Sequence, residues 1–310
     1  MIDAVLLLLT LALGAALARV SLCAVGGMQQ AVVARNYQGL ERLLLAASGA
    51  GVVLLLFAGL APGHVGLPAA SRFHTGIIVG GALLGLGALL NGGCYLGSVL
   101  YLGSGNLNFL LTLVGIGLGA RSAEALAPLR VAAVPAVRMA LRFDWMAGAG
   151  LFALLIVLLL RGRSSRERWL ALCAGMLGGV VCARHPGWSY GAVVETLAHG
   201  QAYARDRNAL LSAAMLFVGA LAGARLAGRF ELRRPTPWRG MRCLVGGTVM
   251  GCGAALIPGG NDTLLLWAIP GLAVNGALAY IVMLTTIGLG VALGARLQRA
   301  PGAASPGPPQ

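Results

Sequence analysis

Two cysteines stand in segments that are rich in glycine and poor in charge, and they are the side chains of this sequence best suited to chemistry. Cys23 lies within Arg19–Ala34 and Cys94 within Asn91–Asn108. A thiol is a weak hydrogen-bond donor, so it can hold a polarizable group without trapping it. A nucleophilic thiolate would need a basic or cationic neighbour, and none adjoins Cys94 in the sequence. We therefore predict that the two thiols bind rather than react.

The remaining cysteines give no sign of a metal centre or of a disulfide framework. None of the six cysteines belongs to a CxxC pair, and no histidine stands at a ligand spacing from them,. Cys173, Cys182 and Cys243 are interpreted as small apolar fillers of membrane helices. The same interpretation applies to Cys252, but it lies in a repeated glycine motif and is kept as a candidate site residue. We expect neither a metal nor another cofactor.

The composition is that of a protein whose main solvent is lipid. Of the 310 residues, 58% are hydrophobic and 10% are charged, and the mean hydropathy is +0.84. A soluble domain carries about 25% charged residues. All 23 basic residues are arginines, and they collect in short loops between apolar runs. This pattern predicts an all-α polytopic membrane protein with the lipid bilayer as its partner, and it argues against nucleic-acid binding.

Nine apolar runs are candidates to cross the bilayer, since a spanning helix needs roughly 20 residues. The N-terminal run lacks the basic residues and the cleavage site of a signal peptide, so it is interpreted as the first span. The end of the chain, residues 300–310, is expected to be disordered. The predicted spans are 2–18, 41–60, 75–91, 107–120, 146–160, 168–183, 208–224, 243–257 and 274–295.

The distribution of arginines predicts the orientation of the chain. With nine spans the termini lie on opposite sides of the membrane. If the N-terminus is outside, the inner loops hold 15 arginines and the outer loops 8, as the positive-inside rule requires. We therefore expect a cytoplasmic (inner) membrane protein with its N-terminus outside and its C-terminus inside. The outer stretch 121–144 is predicted to be an amphipathic helix on the membrane surface.

The sequence also contains an internal duplication. Gly80–Leu90 resembles Gly246–Leu256 at an offset of 166 residues, and Arg19–Gly26 resembles Arg184–Gly191 at an offset of 165. Each half then holds four spans, and the single span between them inverts the second half. Inverted repeats are a transporter architecture, with a site where the repeats meet. The predicted divisions are the first repeat over 1–144, the spacer helix and basic inner loop over 145–167, the second repeat over 168–299 and the tail over 300–310.

Four segments are too rich in glycine to be simple spans. Arg184–Leu197 and Pro258–Asn275 take, in the second half, the places of the two cysteine segments in the first. Irregular backbone at membrane depth survives only where it is buried in protein or lines a cavity. We therefore predict four re-entrant loops that meet at the centre and point the N-termini of short helices at an anion. Ordinary surface loops are the alternative.

Two polar residues follow the glycines of the last of these segments. Asn261 can donate hydrogen bonds to the oxygens of an anion. Asp262 is a carboxylate beside a predicted central loop, and we expect it to cap the helix that follows. Participation in proton coupling is the alternative for this residue.

The segment around Cys94 resembles a known family. Asn91–Ser98 reads N-G-G-C-Y-L-G-S, between Gly85–Ala88 and Gly103–Leu107. This order resembles the G-x-G-A-x-L-x-G-G-C-x-x-G block and the G-x-G-N-L turn of the YeeE/YedE sulphur-transport family. Ser21–Gly26 resembles the upstream cysteine segment of that family, and Gly251–Asp262 resembles a variant of its block. The resemblance extends over both halves of the chain.

The resemblance implies a thiosulfate importer, not an enzyme, in which three thiols line a narrow central path. Two of these thiols match Cys23 and Cys94. At the place of the third, Pro258–Asp262 carries no thiol, and Cys252 lies opposite Leu86 in the repeat. The family also suggests a soluble sulphur-carrier protein as a partner on the cytoplasmic face. The predicted site residues are Cys23, Gly92, Gly93, Cys94, Gly97, Cys252, Gly259, Gly260 and Asn261.

Three alternatives stay open at this point. The same fold would serve a different small anion, because the third thiol is missing. A membrane-bound sulphur-transfer protein would use Cys94 as a persulfide carrier, which requires an activated thiolate. A non-transporting scaffold would leave the duplication and the glycine–cysteine segments without a purpose. We expect a transporter of thiosulfate or a related small sulphur-containing anion, without catalytic residues.

Overall fold

A computed structural model describes residues 3–61, 65–68, 74–123, 145–161, 165–200, 207–257 and 259–299. Within these ranges the chain is helical, and the only β pairing is a single bridge between Asn106 and Arg233. Every predicted span coincides with a helix of 13 or more residues. These helices are α1 (Ala4–Val20), α3 (Gln38–Leu60), α4 (Thr75–Asn91), α6 (Leu110–Ser122), α7 (Trp145–Leu160), α8 (Arg166–Arg184), α10 (Arg207–Leu226), α11 (Pro237–Ala254) and α13 (Val274–Arg299).

Four short helices interrupt this series, one in each of the glycine-rich segments. Three of them are 9 or 10 residues long, and the fourth is a three-residue turn that continues as a π-helical turn over Leu264–Ala268. Each follows a longer helix after a break of a few residues. The short helices are α2 (Ala24–Val33), α5 (Tyr95–Gly103), α9 (Tyr190–Ala198) and α12 (Asn261–Thr263).

The helices have the length and apolar character of a membrane protein. Five helical units of the described chain are long and apolar enough to cross a bilayer. The helices Leu107–Ser122 and Met146–Leu160 are apolar but shorter, and α8 and α11 carry arginines in their first turns. The polytopic all-helical class is therefore confirmed, whereas nine crossings stay a prediction. The five units are Ala4–Val33, Gln38–Leu60, Thr75–Gly103, Arg207–Leu226 and Val274–Gln298.

The repeated glycine motif brings helices of the two halves into contact. A Cβ atom added at Gly253 on α11 would lie 2.7 Å from the carbonyl oxygen of Gly80 on α4. A Cβ at Gly247, on another face of α11, would lie 2.5 Å from the carbonyl oxygen of Thr112 on α6. Small residues allow such close backbone approach between membrane helices. The motif therefore forms one of the interfaces along which the two halves pack.

Polar contacts at the helix ends fix the relative directions of the helices. At one face of the bundle, Asp3 before α1 lies 3.3 Å from Arg184 at the end of α8, and its N–H donates to Asn208 at the start of α10. The helices α1 and α8 are therefore antiparallel. At the opposite face, Arg168 at the start of α8 pairs with Glu41 at the start of α3. These faces are called the Asp3 face and the Glu41 face below.

Two predictions fall outside the described residues. The amphipathic surface helix was predicted over 121–144, and of this stretch only 121–123 is described, at the end of α6. The predicted disordered tail, 300–310, is likewise outside. Pro258 is the one position of the fourth glycine-rich segment that is not described.

Candidate functional site

A pair of buried thiols lies where the first two breaks meet. Cys23 is the residue before α2, and Cys94 is the residue before α5. The Cys94 thiol donates to the sulfur of Cys23 over 3.9 Å, and the two residues are 6% and 1% exposed. The Cys94 sulfur also accepts hydrogen bonds from the N–H groups of Ala24 (3.3 Å) and Gly97 (3.5 Å). The thiol pair therefore lies at two converging helix N-termini, where the backbone favours negative charge.

The breaks that place the thiols have local causes. The helix α1 ends at Ser21, whose φ of 55° is left-handed. The helix α4 ends at Gly92, whose φ of 75° is likewise left-handed and costs glycine little. A Cβ atom at Gly97, in the first turn of α5, would lie 2.6 Å from the Cys23 sulfur. Glycine at position 97 is thus required for the two breaks to come together.

Asn91 holds the loop that carries Cys94. Its side-chain amide donates to the carbonyl oxygen of Gly93 (2.6 Å) and to the hydroxyl of Ser98 (3.1 Å). Its amide oxygen accepts a hydrogen bond from the Thr112 hydroxyl (2.7 Å). The side chain is buried, so each bond is made away from competing water. Asn91 therefore fixes the turn between α4 and α5 against α6.

The second half repeats this arrangement of breaks, with a hydroxyl at the place of one of the two thiols. Ser189 precedes α9 and Gly260 precedes α12, each 166 residues after its cysteine counterpart. The Thr263 hydroxyl donates to the Ser189 hydroxyl over 3.0 Å. Ser189, and not Trp188 as the sequence offset of 165 had indicated, therefore takes the place of Cys23. The second half thus presents the hydroxyl of Ser189 where the first presents the thiol of Cys23, and Gly260 offers no side chain at the place of Cys94.

Asp262 is a buried carboxylate within this second-half cluster. The residue is 3% exposed. It accepts hydrogen bonds from the N–H groups of Thr263 (2.9 Å) and of Gly191 (3.5 Å) in the first turn of α9. Asp262 therefore bonds backbone of its own turn and of α9. Contrary to the expectation from the sequence, it does not cap the helix that follows, because it lies within α12 and the residue before that helix is Gly260.

Tyr95 joins the two halves of the site. Its hydroxyl donates to Glu195 on α9 (3.2 Å), and its carbonyl oxygen accepts from the Tyr190 hydroxyl (2.7 Å). Cβ atoms added at Gly191 and Gly260 would lie 2.5 and 2.7 Å from the Tyr95 ring. The ring of Tyr95, which directly follows Cys94, therefore packs against the backbone that surrounds Asp262.

Several buried polar atoms near the breaks have no hydrogen-bond partner among the described residues. They are the amide nitrogen and oxygen of Asn261, the amide oxygen of Asn275 and the hydroxyl of Tyr280. Buried polar groups in folded proteins are nearly always paired with protein, water or a ligand. Asn261 is fully buried and directly follows Gly260. The unpaired atoms are therefore groups that a polar ligand can satisfy.

A cavity of about 330 Å³ lies between α6, α9 and α11. It is on the side of the Asp3 face, because α9 ends at Ala198 shortly before α10, whose start bonds Asp3. Its polar lining is provided by α9. The residues around the cavity are Ala120, Ala192, Glu195, Thr196, His199, Ala254, Ala255, Ile257 and Gly259.

The predicted site residues divide into two groups and one outlier. Cys23, Cys94 and Gly97 meet at the thiol pair, and Gly92 and Gly93 shape the loop before it. Gly259, with a φ of 106°, Gly260 and Asn261 form the second-half break against Tyr95. Cys252 lies apart on α11, where its thiol donates to the carbonyl oxygen of Gly119 on α6 over 3.3 Å. No group of three or more potential metal ligands occurs within the part of the chain that the structure describes.

The sequence alone did not point to every residue of this site. Tyr95 stands at an unspecified position of the family block, directly after Cys94, and is not among the predicted site residues. Ser189 and Thr263 were missed, although an offset of 166 applied to Cys23 would have found Ser189. Tyr280 lies in the apolar helix α13. Nothing in the neighbouring sequence indicates that its hydroxyl is buried without a hydrogen-bond partner among the described residues.

Comparison with known proteins agrees with this architecture. A family model described as sulphur transport matches the chain twice, over residues 19–171 and 142–289. The two matches together extend over most of the chain and overlap around α7, which confirms the duplication. No curated protein matches the sequence. The chain therefore belongs to the sulphur-transport family whose glycine–cysteine block it resembles, the YeeE/YedE family, and is a membrane protein of sulphur-related transport.

Proposed function

We propose that this protein transports thiosulfate or a related small sulphur-containing anion along a path lined by the thiols of Cys23 and Cys94. One observation supports this most directly. The two sulfur atoms are 3.9 Å apart, buried, and close to the N–H groups of Ala24 and Gly97. A site of this kind combines polarizable sulfur with the positive ends of two helices.

The chemistry of the neighbouring groups suits such an anion. Thiosulfate has a large, polarizable terminal sulfur, and a thiol is a weak donor that holds this sulfur without trapping it. Conduction requires sites that are weak or numerous enough to permit exit. The unpaired amide of Asn261 and the unpaired hydroxyl of Tyr280 are donors for the anion's oxygens. A relay of weak sulfur and oxygen contacts is therefore available in the fold.

The second half favours a related anion as the alternative substrate. Ser189 and Gly260 stand at the positions that correspond to Cys23 and Cys94. Hydroxyl and amide groups bind oxygen atoms better than sulfur. An anion that offers more oxygen than thiosulfate, such as sulfate, is therefore the second candidate, and competition between thiosulfate and sulfate for uptake distinguishes the two.

We further propose an inverted arrangement of two four-span repeats around α7, with nine crossings of an inner membrane. The antiparallel directions of α1 and α8 support it, since these helices begin the two repeats. The positive-inside rule then places the Asp3 face outside and the Glu41 face inside. A soluble sulphur-carrier protein would dock at the Glu41 face.

The transport proposal is tested with the purified protein in vesicles that are loaded with unlabelled thiosulfate and given labelled thiosulfate outside. We expect the parent to catalyse uptake and exchange, and Cys23→Ala and Cys94→Ala to lose roughly tenfold in rate, as the loss of one hydrogen-bonding group at the site implies. Cys173→Ala is the matched control, because Cys173 is exposed on α8. Parental rates in both site variants would contradict the thiol path, and no uptake by the parent would contradict the substrate.

The orientation is tested by labelling from each side of the membrane. Arg161→Cys, at the end of α7, is introduced into a Cys173→Ser background. We expect a membrane-impermeant maleimide to label position 161 only from the cytoplasmic side. Labelling from the outside alone would overturn the proposed orientation.

A further inference from the structure

We propose that transport by this chain is coupled to protons, and that Asp262 is the residue that binds the proton. The inference rests on the proposed transport function and adds the coupling ion to it. Ionisable groups inside membrane helices are costly and mark ion or proton pathways. Asp262 is the carboxylate of the described chain that lies deepest beside the candidate path, at 3% exposure.

The charge of Asp262 has no counter-charge in the described residues. Its carboxylate bonds only uncharged groups, the N–H groups of Thr263 and Gly191 and the neighbouring Ser189. The charge of Asp262 acts on Tyr95 of α5, Tyr190 of α9 and Cys182 of α8, and a second carboxylate, Glu195 of α9, acts on the same two tyrosines. Each of these groups is either neutral or negatively charged, so none balances the carboxylate of Asp262. A proton can neutralise Asp262 without any rearrangement of these bonds.

The hydrogen-bond pattern favours a proton over a metal cation. A hydroxyl oxygen has two acceptor positions, and in Ser189 both are used, by the N–H of Ala192 (3.0 Å) and by the Thr263 hydroxyl (3.0 Å). The carboxylate of Asp262 faces N–H donors, which repel a metal ion. Ser189 and the bonded carboxylate of Asp262 therefore offer a sodium ion few free oxygen ligands. The unpaired amide oxygens of Asn261 and Asn275 are the remaining candidates, and the sodium measurement below tests them.

The cavity on the Asp3 face comes close to Asp262 and is the nearest route for a proton from that side. Ala192 and Gly259 belong to its wall, and each is the chain neighbour of a glycine that contacts the carboxylate. Those glycines are Gly191, whose N–H bonds Asp262, and Gly260, where a Cβ atom would lie 2.7 Å from a carboxylate oxygen. One layer of backbone therefore separates the cavity from the carboxylate.

Tyr95 connects the same cavity to the thiol side of the site. Its hydroxyl donates to Glu195, which lines the cavity, and its ring packs on Gly191 and Gly260. Tyr95 also follows Cys94 directly in the chain. Tyr95 therefore lies between Asp262 and the thiol pair. The charge of the carboxylate is close enough to act on an anion at the thiols.

This placement couples the two ligands. When Asp262 is ionised, its negative charge repels an anion from the thiols across Tyr95. When a proton from the cavity has neutralised the carboxylate, the anion binds more tightly. By linkage, the bound anion raises the proton affinity of Asp262 by the same factor. Release of both on the other side restores the ionised carboxylate, so anion and proton move in the same direction.

The test uses the full chain in vesicles of phosphatidylethanolamine and phosphatidylglycerol, with the membrane potential clamped. Labelled thiosulfate is followed in counterflow without a gradient and in net uptake with the outside one pH unit more acidic. We expect the gradient to raise the parent's steady-state accumulation about tenfold for each coupled proton. Asp262→Asn should keep counterflow and lose the response to the gradient, and Asp262→Glu should keep both. Glu231→Gln is the control, because Glu231 is exposed.

The outcomes separate the inference from the transport proposal. If the parent shows no counterflow of thiosulfate, the proposed function fails. If the parent shows counterflow but a pH-sensitive dye inside the vesicles records no proton entry with thiosulfate, the coupling is wrong. A full gradient response in Asp262→Asn would overturn the role of Asp262. If Asp262→Asn does not assemble in the membrane, the dye measurement on the parent and on Asp262→Glu still decides whether protons enter with thiosulfate. Thiosulfate uptake that depends on a sodium gradient and not on pH would contradict the proton as the coupling ion.

Discussion

The sulfur atoms of Cys23 and Cys94 lie 3.9 Å apart although 71 residues separate them along the chain. Each sulfur stands at the start of a short helix, and each short helix follows a break in a longer one. Their contact therefore depends on both breaks of the first repeat. A change that moves either short helix should alter the distance between the two sulfur atoms.

Mild oxidation of the purified protein should join this pair. With diamide as the oxidant, we expect Cys23 and Cys94 to form a disulfide, with loss of two hydrogens detected by peptide mass spectrometry. Transport should stop and return after dithiothreitol, because the bridge removes both thiols from the path. Cys94→Ser is the control and should show no such loss. If the exposed Cys173 is modified while the pair stays reduced, the proposed proximity is wrong.

Gly97→Ala should disturb the thiol pair without unfolding the protein. The added methyl group would lie 2.6 Å from the Cys23 sulfur, so either the thiol or α5 must shift, at a cost of about 1–3 kcal/mol. We expect the transport rate to fall by roughly tenfold or more. Gly150→Ala on α7 is the matched control, since a Cβ there meets nothing within 4 Å. Equal rates in the two variants would contradict the tight fit.

Asn91→Ala should lower the free energy of unfolding, because Asn91 makes three buried hydrogen bonds. It removes the bonds to Gly93, Ser98 and Thr112 and leaves buried polar groups unpaired, which costs about 2–4 kcal/mol in the free energy of unfolding. Thr112→Val removes one of the three bonds and should cost less. The double variant should cost less than the sum, because the bonds form one network. Additive losses, measured by denaturation in mixed micelles, would show that Asn91 does not organise the loop.

The sequence predicted the helical class, the positions of the longer helices and the meeting of the two cysteine segments, for physical reasons. Lipid excludes unpaired backbone, so long apolar runs must be helical. Glycine marks both the close helix contacts at Gly247 and Gly253 and the breaks at Gly92 and Gly259. The thiols stand in two of these breaks, where the family block adds specificity. Local composition was therefore sufficient for this part of the site.

The rest of the site depends on packing that local sequence does not encode. The repeat placed Trp188 opposite Cys23, but the indole of Trp188 donates to Ser212 on α10, and the next residue, Ser189, is the one that precedes α9. In the sequence, Tyr95 is simply an aromatic residue next to Cys94. Its hydrogen bond to Glu195 is apparent only in the structure. Cys252 shares the glycine motif but faces α6. The side-chain directions, not the motif, distinguish these residues.

The contact of Asp3 with α1 and α8 should make stability depend on pH. The N–H of Leu6, which bonds the carboxylate, and the guanidinium of Arg184 hold the pKa of Asp3 below its ordinary value of 3.8. A carboxylate with a lowered pKa stabilises the folded state above its ordinary pKa, and this contribution is lost as the pH falls through the lowered value. Asp3→Asn keeps the helix cap, since asparagine caps as well as aspartate, and removes only the charge.

We therefore expect Asp3→Asn to melt roughly 1–3 °C below the parent at pH 7, in keeping with a partly exposed ion pair. The difference should shrink as the pH falls below 3.8, because the parent's carboxylate then becomes neutral too. Glu231→Gln serves as the control: its pair with Arg233 joins two exposed side chains of one loop, so its melting temperature should match the parent throughout. A difference for Asp3→Asn that stays constant down to pH 3 would mean that Asp3 acts through its shape and not through its charge.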